Sequence, residues 1–254
     1  SVSLMLQNEE GIPSEVIHTT DIVATPSSVL YDAPTLLVSY SRSGSSPEST
    51  AAIDIAKQHI SDLYNIIFVC NSDSELARMD TKDGKNLIVN IPQEASDKGF
   101  AMTSSVSSMM IATWYVFAEK SKRHDRLAGI YALSDSMKKD MDELSNMAKE
   151  IAKKKYNRIV YLAFGALRGL AHEGAIKSQE LAAGKIVAFF DTPTGFRHGP
   201  KVVLDPNTIT VHLLSPNELT RKYDLDLLNE IMAERDGNET IAVIPNNSED
   251  KTNA

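Results

Sequence analysis

Three short stretches of the chain gather side chains that could do chemistry. Residues 39–46 read SYSRSGSS: four hydroxyls, on Ser41, Ser43, Ser45 and Ser46, surround a glycine that permits a tight turn, and Pro47 and Glu48 then open a helix-like run. A helix N-terminus presented by such a loop can hold a phosphate through backbone N–H groups and a favourable dipole. A Ser-rich turn that only caps its helix fits the same letters. The loop lacks the Lys and Gly spacing of a P-loop and the three glycines of a dinucleotide fingerprint. Residues 172–180, HEGAIKSQE, put Glu173, Lys177 and Glu180 on one helical face, which by itself reads as a solvated, salt-bridged stripe. Residues 195–201, GFRHGPK, set His198 between glycine-bearing turns, where an imidazole can exchange a proton near neutral pH or serve only as a surface residue.

Other arrangements fail on spacing. His172 and Glu173 do not begin the HExxH zinc motif, because position 176 is Ile. No His, Cys and Asp cluster has metal-ligand spacing, so no metal or other cofactor is expected. Cys70, the one cysteine, ends an apolar run and reads as a buried thiol rather than a nucleophile. Asp21 and residues 191–194 could border a cleft, but spacing assigns them no task.

These stretches need elements to position them. Residues 34–40, 66–70 and 87–91 are short apolar runs, and a helical pattern at 47–58 separates the first two. That order predicts right-handed crossovers and a parallel sheet. Residues 103–119 predict a helix whose Met109, Met110 and Trp114 pack in a core and whose Ser/Thr start supplies the cap. Residues 16–23 look extended, and the basic run 120–126 reads as a solvated turn. A long amphipathic helix follows over 127–155, with Met137, Met141, Leu144, Ala148 and Ile151 on one face. The pattern then restarts: strands at 158–163, 187–190, 208–214 and 240–244, a turn at 165–169, and helices at 170–182 and 219–233. Two similar α/β subdomains are expected, residues 1–125 and 126–254, the second opening with the linking helix and closing in a polar end at 246–254.

The whole composition sets outer limits. The chain has 254 residues, 42% of them apolar, and 26 Lys plus Arg against 34 Asp plus Glu give a formal charge of −8. That is ordinary globular composition, and the acidic balance argues against nucleic-acid binding without excluding a local phosphate pocket. No stretch reaches the roughly 18 apolar residues of a membrane span. No membrane partner is therefore expected, and one cysteine fits a protein of the cytoplasm.

SYSRSGSS at 39–46, EGAIKSQELAAGK at 173–185 and GFRHGPK at 195–201 together resemble the sugar isomerase (SIS) domain family of phosphosugar isomerases, in particular its tagatose-6-phosphate ketose/aldose isomerase and galactosamine-6-phosphate deaminase group. The similarity spans roughly residues 16–245. It implies two doubly wound, three-layer α/β/α subdomains, a homodimer or higher homo-oligomer with sugar sites near subunit interfaces, and no cofactor. It puts a sugar phosphate on Ser41, Arg42, Ser43 and Ser46, proton transfer between C1 and C2 on Glu180, and ring opening on His198, which in related enzymes can serve the neighbouring subunit's site. Glu173 and Lys177 would support Glu180 as an ion pair. The family ordinarily adds a helix, a strand and a Gly-Thr-Ser-like loop before the equivalent of this chain's start, and a C-terminal helix and tail, so a fragment of a longer polypeptide is expected. The expected reaction converts galactosamine 6-phosphate to tagatose 6-phosphate and ammonia. The alternatives are aldose/ketose phosphate isomerisation without deamination, a non-catalytic sugar-phosphate-binding module, and a structural protein with a phosphate-like turn.

Overall fold

The computed structural model describes residues 2–79, 81–234 and 237–245, so the polar end at 246–254 lies outside it. The chain divides into two compact units: Glu10–His124, and the first nine residues together with the chain from Asp125 onward.

In the Glu10–His124 unit three strands, β1 (Thr35–Ser41), β2 (Leu63–Val69) and β3 (Asn86–Asn90), form a parallel sheet in that order. Alternation along β2 explains both covering layers. Leu63 packs with Ala52, Ala56 and Ile60 from α4 (Pro47–His59) and its C-terminal edge, and with Ile22 and Leu30 from the region of α2 (Thr19–Ala24) and α3 (Pro26–Val29). Ile67 meets Ile53 of α4 on that same face. Phe68 and Cys70 turn the other way, onto Met109 of α5 (Ser104–Val116). Full burial of each such aliphatic or aromatic side chain contributes about 1.5–3 kcal/mol, which is what fixes the layers.

Two expectations fail here. Residues 19–24 are helical rather than extended: their β-branched residues favour strand, but burying Ile22 against α4 needs a helical turn, and tertiary packing overrides weak local preference. No Ser or Thr side chain caps α5. Its first turn is held instead by Asp97, whose carboxylate accepts from the N–H groups of Thr103, Ser104 and Ser105 at 2.9–3.0 Å and from the hydroxyls of Thr103 and Ser105 at 2.9 and 2.6 Å. Led by the Ser105 hydroxyl, these donors hold the Asp97 carboxyl well below the usual carboxylate range.

The second unit is a four-stranded parallel sheet, β4 (Arg158–Ala163), β5 (Val187–Asp191), β6 (Thr208–Leu213) and β7 (Glu239–Val243), in the order β5-β4-β6-β7. On one face Val160 and Leu162 pack with Phe196 of α8 (Pro193–Arg197) and with Leu227 and Ile231 of α9 (Glu218–Glu234). On the other, α7 (Leu167–Leu181) lies over β4 and β5, and Gly174 lets it approach: a Cβ there would sit 2.9 Å from the Tyr161 ring. Farther along that face Ile159, Tyr161, Ile209, Val211 and Ile241 line an apolar cavity of about 310 Å³ with Ala148, Ile151 and Ala152 of the long helix α6 (Arg123–Lys153). Each sheet is thus parallel and flanked by helices, the duplicated α/β/α architecture.

Helix α7 starts at Leu167, three residues before the expected Leu170, because Gly165 alone makes the turn, at φ +55°, and Gly169 is helical. The basic run 120–126 is mostly exposed, as expected, but it is helical rather than a turn, and Arg126 is buried. Residues 120–122 form a short 3-10 segment, α6 begins at Arg123, and Arg126 is 6% exposed, paired with Glu9 of α1 (Val2–Glu10) at 3.0 Å. Met137, Met141 and Leu144 of α6 are exposed within their own unit.

Candidate functional site

The serine loop follows the carboxyl end of β1 and the His198 turn follows the carboxyl end of β5, where open α/β sheets place their ligands, whereas Glu180 lies in the last turn of α7, the end that leads back to the start of β5. In the Glu10–His124 unit the serine loop runs from the end of β1 into α4. Gly44 has φ +65°, and a Cβ built on it would lie 2.1 Å from Oγ of Ser74, so both conformation and space demand glycine. The Gly44 carbonyl accepts from the Leu76 N–H at 3.0 Å, tying the loop to the segment after β2. Ser41, buried, accepts from the Gly44 N–H at 3.0 Å, and Ser43, exposed, accepts more weakly from the Ser45 N–H at 3.5 Å. Ser46 shares a 2.6 Å hydrogen bond with Ser49 and does not cap α4 with its side chain.

Arg42 does something the sequence does not announce. Its guanidinium turns from the serines and donates to the carbonyls of Asp97 and Gly99 at 3.3 and 3.0 Å. Asp97 therefore works at both ends: its carboxylate caps α5 while its carbonyl helps hold the arginine of the serine loop. Tyr40, stacked on Phe68 with ring centroids 5.4 Å apart, accepts from Thr113 at 3.1 Å and is pushed up in pKa by burial.

In the second unit α7 brings Glu173, Lys177 and Glu180 together. The Lys177 ammonium lies 3.4 Å from Oε1 of Glu173 and 2.5 Å from Oε2 of Glu180. Burial works against its charge, but the two carboxylates outweigh it and raise its pKa above the ordinary lysine value. The expected Glu173–Lys177 pair is therefore half of a triad whose shorter arm reaches Glu180. Tyr161 reaches the same helix through Ser178 at 2.8 Å, and His172 stacks on Phe190 at 4.2 Å.

His198 caps the C-terminus of α8 and is exposed. The Thr192 hydroxyl accepts from Gly195 N–H at 3.1 Å and starts the short helix, Phe196 at 0% exposure pins it to the core, and Gly199 at φ +137° turns the chain sharply beyond the histidine. Arg197 and Lys201 on either side reach Asp226, Glu230 and Glu234 of α9. This acidic row was missed in the sequence because its partners are 29 or more residues away, although its i, i+4, i+8 spacing on one helix is a readable signal.

Among the described residues no three His, Cys, Asp or Glu side chains converge as a metal site, and no helix is long and apolar enough to cross a membrane.

No family model matches the chain. Individual proteins do. It is 37% identical over 245 residues to D-galactosamine-6-phosphate deaminase AgaS of Escherichia coli O157:H7, covering 96% of this chain and 63% of that protein. It is 38% identical over 218 residues to D-galactosamine-6-phosphate deaminase AgaS of Shewanella sp. strain ANA-3, covering 85% and 55%. The crystal structure of tagatose-6-phosphate ketose/aldose isomerase from Escherichia coli superposes with a TM-score of 0.80 at 33% identity, covering 96% of this chain and 71% of that one. The chain spans less than two thirds of the length of these curated relatives. Two parallel sheets flanked by helices, with a serine loop after the first strand and a Glu-Lys-Glu helix in the second unit, define a duplicated parallel α/β protein. The chain belongs to the sugar isomerase (SIS) domain family, in the group related to tagatose-6-phosphate isomerases and galactosamine-6-phosphate deaminases.

Proposed function

We propose that this chain belongs to an enzyme that isomerises a hexose 6-phosphate between aldose and ketose forms by moving a proton between C2 and C1. The observation that carries the reading is the α7 triad, in which Lys177 holds the Glu180 carboxylate at 2.5 Å beside a second carboxylate. A fixed, ionised carboxylate is what abstraction of a proton alpha to a carbonyl requires.

The roles follow from chemistry. The phosphate falls to the serine loop, where its oxygens would compete for the Gly44 and Ser45 N–H groups now bonded to Ser41 and Ser43, and the freed hydroxyls would donate to it. Binding there contributes orientation at a distance from the reacting carbons. His198 moves a proton between ring oxygen and anomeric hydroxyl, opening the ring. Glu180 removes the C2 proton, an enediol forms as the carbonyl oxygen is protonated, and return of the proton to C1 completes the shift. Glu173 and Lys177 hold Glu180, and no step needs a metal or cofactor.

A second reading, deamination, is favoured by the names of the curated relatives. With a C2 amino sugar the same proton transfer leaves a C2 imine; water adds, ammonia departs, and galactosamine 6-phosphate becomes tagatose 6-phosphate. The test mixes full-length protein with galactosamine 6-phosphate and measures ammonia and ketose phosphate together. Equal yields establish deamination with isomerisation. Aldose–ketose interconversion of tagatose 6-phosphate without ammonia release from the amino sugar supports isomerisation alone, and turnover of neither substrate defeats both. Glu180→Gln should lower kcat by about 10²–10⁴-fold while phosphate-ligand affinity stays within about twofold.

A further inference from the structure

The turn that carries His198 is stapled from below by one carboxylate. Nε of Arg197, one residue before the histidine, lies 2.8 Å from Oε2 of Glu230, and Lys201, three residues after it, binds Oε1 of the same side chain. Asp226 reinforces the arginine arm at 2.9 Å and Glu234 the lysine arm at 2.7 Å. Ordinary surface ion pairs contribute little, because two mobile side chains must be ordered in water. This one differs in what it spans: both arms meet on a single group, across a turn that contains the exposed His198 and, next to it at the centre, Gly199 with φ +137°. The helix beneath is itself fixed, since Leu227 and Ile231, flanking Glu230 on α9, are buried at 1% and 2% exposure with Phe196 of the same turn.

We propose that Glu230 is a positioning residue for His198: by binding Arg197 and Lys201 together it holds the imidazole where proton transfer to the sugar ring needs it. This rests on the ring-opening role given to His198 above. Glu230 does not touch substrate and acts only through the turn. Misplacing a catalytic group by about 1 Å can lower a rate about 10²-fold, so a tie of this kind should be visible in kcat.

The test is a double-mutant cycle in the full-length protein, with tagatose 6-phosphate as substrate and Glu180→Gln as the control for the isomerase reading. Glu230→Gln should lower kcat about tenfold or more with KM within about twofold. In a His198→Asn background the same substitution should change kcat less than about twofold, because the group it positions is gone. Glu230→Asp, which keeps the charge, should recover part of the loss. Equal losses in the two backgrounds, or no loss in either, overturn the proposal. Full activity of His198→Asn overturns it too, and a dead Glu180→Gln would then leave the isomerase reading standing. If Glu230→Gln does not fold, Lys201→Gln breaks one arm of the same staple and should show the same dependence on His198 at smaller size.

Discussion

A carboxylate that takes a proton from carbon must keep one oxygen for the task. Lys177 engages Oε2 of Glu180, so in our reading Oε1 is the base. The same economy marks Arg42. Its charge invites a phosphate partner, and its Nη1 donates to the carbonyls of Asp97 and Gly99, so in our reading the loop's amides and hydroxyls meet the ligand while the arginine fixes the loop. Arg42→Ala should therefore loosen the loop rather than delete a contact: KM for a sugar phosphate should rise about fivefold to twentyfold with kcat changed much less. Arg42→Lys should recover little of this, because an ammonium lacks the guanidinium's fixed fork of donors. Recovery to wild-type KM by lysine would show that charge alone matters there.

At the scale of elements, the strands were legible and the caps were not. Residues 34–40, 66–70, 158–163 and 208–214 are nearly continuous apolar runs, the signature of parallel strands buried on both faces, and all appear as strands within a few residues. The start of α5 was legible within one residue but its capping group was not, because Asp97 stands six residues before Thr103 across a loop. Arg126 looked solvated because Glu9, its partner, is 117 positions away. The serine loop, the α7 face and His198 stood out from local chemistry, whereas the tie of Arg42 to Asp97, 55 positions away, and the ties of Arg197 and Lys201 to α9, 29 to 33 positions away, lie beyond any local window. Gly44 joins the two kinds, since its need is local in φ but its close neighbour, Ser74, belongs to another loop. Gly44→Ala meets a positive φ and a 2.1 Å clash together, and should destabilise the protein by about 2–4 kcal/mol, read as a lowered urea midpoint. A change below about 0.5 kcal/mol would mean the loop relaxes freely.

For the molecule as a whole, two buried groups of the second unit set opposing pH dependences. Burial raises the Asp224 carboxyl from its ordinary 3.8 to about 6, although the Ser215 N–H donates to it at 2.8 Å. Its contribution to stability is full below pH 3.8 and is lost as pH rises through about 6. Burial lowers His212 from 6.5 to about 4, so its contribution is full above pH 6.5 and is lost as pH falls through about 4. Between pH 4 and 6 the two slopes oppose, and the wild-type urea midpoint should change little there on their account. Asp224→Asn should unmask the histidine, making stability fall on acidification by about 1–3 kcal/mol across that window. His212→Phe should unmask the aspartate and make stability rise over the same interval. Parallel slopes in the two variants would refute the pairing.

Following those variants needs a reporter in the right place, and the chain's one tryptophan, Trp114, is on α5 of the Glu10–His124 unit. Indole fluorescence will therefore trace the melting of the serine-loop unit, while far-ultraviolet circular dichroism sums over both. Where the two signals part, the difference belongs to the unit that bears Glu180, His198 and Asp224, so a pair of ordinary optical probes can separate the unfolding of the serine-loop half from that of the α7 half without labelling either.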